Sequence, residues 1–317
     1  MAKKIKVVII GFGIQGKKRN LIAGSDVASI IDPLEENINL KDIKDVPLDS
    51  FDAALICTSD NEKIGIINYL LKNNKKILVE KPLISNSTND LIKLSQEIDK
   101  KKLCCYTAYN HRFEPHFINM KNIIKSKQLG KLYHLRLFYG NGTAKLVRNS
   151  PWRDKNTGVL CDLGSHLFDT LAFWIDDIKN YEFIITRAEK KENLTFDHVI
   201  INNVVKEDQI SIELEMSLLS WKNTFTCDFF GEKGSAHINS LCKWGPSEFI
   251  HRSRVFPSGK PDEKKITLEQ NDPTWIVEYE HFLDICKTNQ TQNIEKDIWI
   301  NETLLNLSHQ VNIREII

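Results

Sequence analysis

The sequence predicts an α/β half followed by an α+β half: a doubly wound parallel sheet, then an open, mainly antiparallel sheet with helices on one face. Three observations carry that expectation. Short Val- and Ile-rich runs alternate with helical patterns through the first third of the 317 residues, as βαβ units do. Beyond residue 125 the runs lengthen and alternate apolar with polar residues, the pattern of a sheet buried on one face. A glycine-rich turn joins the first strand to the first helix. We place the domains at residues 1–120 and 121–317, each large enough for its own core, with the closing helices expected to pack back on the first.

Taken in order, Lys6–Ile10, Val27–Ile31, Ala53–Cys57 and Lys76–Val79 read as parallel strands, short and apolar throughout. The stretches "NEKIGIINYLLKNN" and "STNDLIKLSQEIDKKK" carry helical spacing, the second with Ser87 or Thr88 as its cap. Leu103–Asn110 is a further strand that closes the sheet. In the second half, "KLYHLRLFYGN", "YEFIITRAEKK", "DHVIINNVV", "DQISIELEMSLLSW" and "NTFTCDFFGEKGSAHI" read as strands, with Gly231–Gly234 as a hairpin turn. Two helical segments, "PTWIVEYEHFLDICKT" and "DIWINETLLNLSHQV", close the chain.

Composition narrows the function classes. With 43 basic and 42 acidic side chains, the charge balance gives no reason to expect nucleic acid or an anionic membrane as partner. The clusters Lys3–Lys4, Lys17–Arg19 and Lys100–Lys102 read as solvated faces. No targeting segment is visible and no apolar run approaches the roughly 20 residues that span a bilayer, so a soluble, cytoplasmic protein is expected. Seven cysteines are scattered without a C-x-x-C pair, which suits reduced thiols. No metal site is expected, since His111 and His116 lack ligand spacing.

Gly11, Gly13 and Gly16 form G-x-G-x-x-G between a strand and a helix. There the first glycine permits the turn, the second lets a pyrophosphate approach and the third lets helix and strand pack, while free N–H groups at the helix start face the anion. Lys17, Lys18 and Arg19 oppose the helix dipole; nearby phosphate or simple exposure would each account for them. Asp32 ends the second strand about twenty residues further on, where an acid binds the adenosine ribose and repels a 2′-phosphate. The expected cofactor is NAD, with NADP the less favoured. Its contacts fall to Gly11, Gly13, Ile14, Gln15, Gly16, Asp32, Thr58, Ser59, Glu80 and Lys81.

Two segments offer chemistry. "ILVEKPL" puts Lys81 at the carboxyl end of a parallel strand, where open α/β sheets bind ligands and an amine can handle a hydroxyl proton; a solvated turn lysine is the plain alternative. "TGVLCDLGSHLFDTLAFW" puts Asp162, His166 and Asp169 on one face of an apolar helix, to bind hydroxyls and move a proton or to form a structural Asp–His pair.

Together, "GFGIQG", Asp32, "EKP" at Glu80–Pro82, "YNHRFEP" at Tyr109–Pro115 and "DLGSH" at Asp162–His166 resemble the glucose–fructose oxidoreductase and inositol dehydrogenase family (Gfo/Idh/MocA), over nearly the whole chain. The resemblance implies a Rossmann domain and a sugar, nucleotide-sugar or cyclitol substrate. It implies that Lys81 contacts the reacting hydroxyl, and that Asp162 and His166 bind substrate and supply the acid/base. It also implies homodimers or homotetramers through the C-terminal sheet, and a cis peptide before Pro82. Tyr109, Arg112, Arg153 and Asp169 are the expected pocket lining. The chain departs where relatives often read T-P-x-x-x-H: Ser59 and Lys63 replace the proline and histidine. The loop Ala144–Gly158 carries Arg148, Trp152 and Arg153; a diphosphate suits paired guanidinium groups, which tilts the reading towards a nucleotide-linked sugar, and loose surface arginines are the plain alternative. The expected activity is hydride transfer between NAD and a ring hydroxyl or ketone. The alternatives are a redox-neutral NAD-using sugar enzyme of glycosidase or epimerase type, and a dinucleotide-binding sensor without catalysis.

Overall fold

The computed structural model describes residues 4–150, 154–155 and 158–314. The chain divides into two compact units, Met1–Asn110 with Thr274–Glu302, and His111–Pro273 with Thr303–Ile317.

In the first unit, β1 (Val7–Ile10), β2 (Val27–Ile31), β3 (Ala53–Ile56), β4 (Lys76–Glu80) and β5 (Cys105–Ala108) pair in parallel in the order β2-β1-β3-β4-β5. Every residue of β1, β3 and β5 is buried, which is why these strands read as unbroken apolar runs. Helices α1 (Ile14–Ala23), α2 (Asp60–Lys72) and α3 (Thr88–Lys101) make the crossovers. Ile67, Leu70 and Leu71 of α2, with Leu91, Leu94 and Ile98 of α3, fill the core beside Ile77 and Val79, each such side chain contributing about 1.5–3 kcal/mol on burial. Ser87 is the residue that precedes α3, but its side chain makes no capping bond. The last strand is shorter than expected: Asn110–Phe113 turns into a 3₁₀ helix.

The second unit begins there. After α4 (Pro115–Lys125) come β6 (Leu132–Gly140), α5 (Ala144–Arg148), α6 (Ser165–Trp174), β7 (Phe183–Glu189), β8 (His198–Asn203) and β9 (Ser211–Ser217). Then follow β10 (Thr224–Gly231), β11 (Gly234–Asn239), β12 (Ser247–Val255) and β13 (Gly259–Leu268). The eight strands pair in the order β13-β12-β11-β10-β6-β9-β8-β7, antiparallel except for β6 with β9. Helix α4 packs on β11 and β12, and the turn leading into α6 packs on β9. Leu135, Leu137, Cys227, Phe229 and Ile238 point to the buried face, alternating with polar residues on the other, as the period of two requires.

Two helices end the chain, α7 (Thr274–Thr288) and α8 (Glu295–Arg314). All of α7 and the start of α8 cluster with the first unit. All seven cysteines are free thiols. Among the described residues no helix is long and apolar enough to cross a membrane.

Candidate functional site

The glycine turn is built by contacts inside the first unit. Gly11 has φ +92°, and a Cβ there would lie 2.7 Å from the Cys57 carbonyl oxygen. A Cβ on Gly16 would lie 2.0 Å from the Gly11 carbonyl oxygen. Those two glycines are demanded by the fold. Gly13 is different: it has nothing within 4 Å of a built Cβ, its φ is an ordinary −68°, and Ile14 beside it is 86% exposed. The start of α1 therefore faces open space where an anion can reach its N–H groups.

Asp32 fastens this turn. Its Oδ2 accepts from Phe12 N at 2.6 Å, and its Oδ1 from Leu34 N at 2.7 Å and Glu35 N at 3.0 Å. Partial burial works against the charge, but these N–H donors outweigh it and hold the carboxyl below its ordinary range. Asp32 is thus an ionised acceptor at the end of β2. At the end of β3, the buried Thr58 hydroxyl has no partner among the described residues, and exposed Ser59 precedes α2. A glycine cradle, an ionised acid and a spare hydroxyl at strand ends fit a dinucleotide.

The basic triplet at the start of α1 is corrected by the structure. Lys17 pairs with Glu35 at 3.4 Å, and the Lys18 ammonium sits 3.7 Å from the Trp275 ring centre. Arg19 is neither exposed nor a phosphate ligand. It is fully buried, with Nε 2.7 Å from Glu80 and an Nη 2.7 Å from Glu278 of α7. Burial opposes its charge, yet the two carboxylates hold it more firmly protonated than a free arginine. Burial pushes the Glu278 carboxyl up to about 7, against the pull of Arg19.

Lys81 follows β4 half-buried, and the Lys81–Pro82 peptide is cis. Lys63 lies directly behind this turn. It is 1% exposed, and its ammonium donates at 2.7 Å to Asp60 Oδ1, Glu80 O and Pro82 O. Tyr109 is buried in the same unit, its ring centre 4.5 Å from the Lys296 ammonium.

In the second unit, residues Leu160–Gly164 form a π-helical turn before α6, so the plain 3.6-residue spacing assumed for Asp162, His166 and Asp169 does not hold across it. Asp162 is half-exposed and His166 is 7% exposed. Asp169, 1% exposed, takes the partly exposed Arg112 guanidinium at 2.9 Å. His166 stacks on His111, with ring centres 4.1 Å apart and planes at 19°. His111 Nε2 lies 3.2 Å from the Lys243 ammonium, so with Lys243 charged His111 is the neutral Nδ1–H tautomer. Burial lowers the Lys243 pKa, opposed by nearby Asp272 and Glu114. Lys243 also lines a cavity of about 500 Å³ with Cys242, Gly245, Glu269, Gln270, Asn271 and Asp272. His111 and Lys243 were missed by sequence reasoning; 132 positions separate them, and no spacing rule connects them.

Arg148 bonds Asp154 at 3.3 Å, and Asp154 also accepts from the backbone N–H groups of Leu194 and Thr195 at 2.9 Å. Trp152 and Arg153 lie outside the described residues. Among the described residues no group of His, Cys, Asp and Glu could hold a metal ion.

Residues 117–237 match the family model of the GFO/IDH/MocA C-terminal domain. An inositol 2-dehydrogenase of Corynebacterium glutamicum is 23% identical over 277 residues, covering 79% of each chain. A myo-inositol 2-dehydrogenase of Thermotoga maritima is 30% identical over 124 residues, 38% of this chain and 35% of its own. The fold is shared with a putative NADPH-dependent oxidoreductase from Desulfitobacterium hafniense, with TM-score 0.84 and 16% identity over 99% of this chain and 97% of that one. It is shared too with levoglucosan dehydrogenase in complex with NADH, with TM-score 0.82 and 14% identity over 97% and 98%. The two-unit fold is therefore shared with these proteins, and residues 117–237 match the C-terminal domain of the GFO/IDH/MocA family.

Proposed function

We propose that this protein is an NAD-dependent oxidoreductase that transfers hydride between nicotinamide and a ring hydroxyl or ketone of a sugar or polyol. The observation that carries this is the β1–α1 turn: Gly11 and Gly16 are fixed by their neighbours, while Gly13 faces open space before an exposed helix start. Gly13 and the α1 N–H groups take the pyrophosphate. Asp32 accepts the ribose hydroxyls, and its charge disfavours a 2′-phosphate. Bound NAD supplies the hydride acceptor or donor. Lys81 and His166 manage the hydroxyl proton, and Asp162 orients the ring, the roles that the family resemblance assigns to them. His111, stacked on His166, limits the tilt of that imidazole.

A nucleotide-linked sugar is the finer reading of the substrate, and Arg148 and Arg153 are the residues that suggest it. The bond from Arg148 to Asp154 leaves Arg153 as the principal candidate for a diphosphate, so free polyols belong in the same trial. We also propose assembly as a homodimer or homotetramer through the eight-stranded sheet.

The test is nicotinamide absorbance with NAD or NADP against inositols, free hexoses and nucleotide sugars. Turnover with one class, lost by at least a hundredfold in Lys81→Ala and His166→Asn, is the expected outcome. NAD binding with no turnover on any compound, in either direction, would replace this reading with a sensor. Product formation without net NADH would replace it with redox-neutral chemistry.

A further inference from the structure

The turn that carries Lys81 is pinned on both sides by buried cations. Arg19 holds the Glu80 carboxylate at 2.7 Å. The Lys63 ammonium has three donors, and all three are spent at 2.7 Å, on Asp60 Oδ1 and on the carbonyl oxygens of Glu80 and Pro82. Those two carbonyls flank Lys81 in the chain. A buried ammonium is costly unless fully paired, and an apolar side chain would fill the same place on α2 without that cost. A role confined to the start of α2 would need only Asp60, three residues before Lys63 and 40% exposed in its side chain; the turn carbonyls take no part in it.

We propose that Lys63 is a positioning residue for Lys81. Its ammonium fixes the carbonyl before and the carbonyl after Lys81, and so fixes the direction in which the Lys81 side chain leaves the turn. The inference rests on the reading of Lys81 as the group that meets the substrate hydroxyl. A charged donor with three hydrogens does the anchoring.

The experiment compares Lys63→Met, Lys63→Gln and Asp60→Asn in the full-length protein. First, ¹³C-methylation of lysines gives each a resonance, that of Lys81 being identified by its absence from Lys81→Arg. In the NAD-free protein the Lys81 signal is expected to shift and broaden in Lys63→Met, to recover partly in Lys63→Gln, and to stay unchanged in Asp60→Asn. Second, with NAD and a compound that the wild type turns over, Lys63→Met is expected to lose about tenfold to a hundredfold in kcat. Its Kd for NADH should stay within threefold of the wild type, and Asp60→Asn should keep kcat within about twofold. A Lys81 signal unmoved by Lys63→Met, or equal kcat losses in Lys63→Met and Asp60→Asn, overturns the proposal. If the wild type turns over nothing, the reading of function fails, and the resonance comparison alone decides the role of Lys63. Should Lys63→Met not fold, Lys63→Gln is judged by the same two criteria.

Discussion

Gly11, Gly13 and Gly16 carry equal weight in a motif, yet their surroundings demand glycine for different reasons. A methyl group on Gly16 would sit 2.0 Å from a backbone oxygen, and one on Gly13 would meet nothing within 4 Å. Gly16→Ala should therefore cost about 1–3 kcal/mol of stability through overpacking. Gly13→Val should leave the thermal midpoint nearly unchanged while weakening NADH binding at least tenfold, because the new side chain fills the place a pyrophosphate needs. Thermal melts paired with a fluorescence titration of NADH check both; equal loss of binding and stability at Gly13 would refute the assignment of that space to a ligand. The glycines, Asp32 and Lys81 were legible in the sequence because each sits at a fixed offset from a strand end. Arg19 was not, since a cation in a first turn reads as exposed until the two acids that bury it, Glu80 and Glu278, are brought together from 61 and 259 positions away.

At the scale of elements, that same network joins α1, β4 and α7 within the first unit, and Tyr106 of β5 adds a hydroxyl 3.4 Å from Glu278. Burial raises the folded-state pKa of Glu278 from 4.5 to about 7. For an acid raised on folding, the stabilising contribution is fully present below the unfolded value, near 4.5, and is lost as pH climbs through about 7. The loss is on the order of 3 kcal/mol. Glu278→Gln should remove it, so the stability difference between wild type and variant should shift in the variant's favour between pH 5 and pH 8, as measured by urea unfolding. A difference independent of pH would show that Glu278 stays ionised throughout. The elements differed in how plainly they could be read. Strands β9 and β10 alternate cleanly between apolar and polar residues, and the Gly231–Gly234 hairpin announces its turn. The segments that became β12 and β13 gave no such signal: β13 carries Lys260, Asp262, Glu263, Lys264 and Lys265 and is exposed along nearly its whole length. A charged edge strand looks like a loop, and that charge is what keeps an open sheet edge from pairing with another chain. The π-helical turn before α6 was equally invisible, because no residue type marks it.

At the scale of the whole molecule, the second unit's sheet presents a broad face whose side chains are largely self-paired. Arg136 bridges Glu213 at 3.1 Å and Glu215 at 3.4 Å, His237 meets Asp228 at 2.6 Å, and Arg252 meets Glu263 at 2.7 Å. Phe230, 42% exposed, stands on the same face as Asp228. Eight strands at about 4.8 Å spacing and about 20 Å of strand length give on the order of 800 Å², the size one partner contributes to a stable interface. Ion pairs already closed within one copy need no new partner across the interface, so association there would draw on apolar contact and on shape, with Phe230 meeting its symmetry-related counterpart's neighbourhood in an isologous pair. The wild type is accordingly expected to sediment as a dimer or tetramer at micromolar concentration. Phe230→Asp should shift it towards monomer at the same concentration without weakening NADH binding, whose proposed groups Gly13 and Asp32 belong to the first unit. A wild-type chain that stays monomeric at the highest concentrations reached would remove the sheet from consideration as an interface. A Phe230→Asp protein that keeps the oligomer intact would instead move the contact to a different surface of the chain.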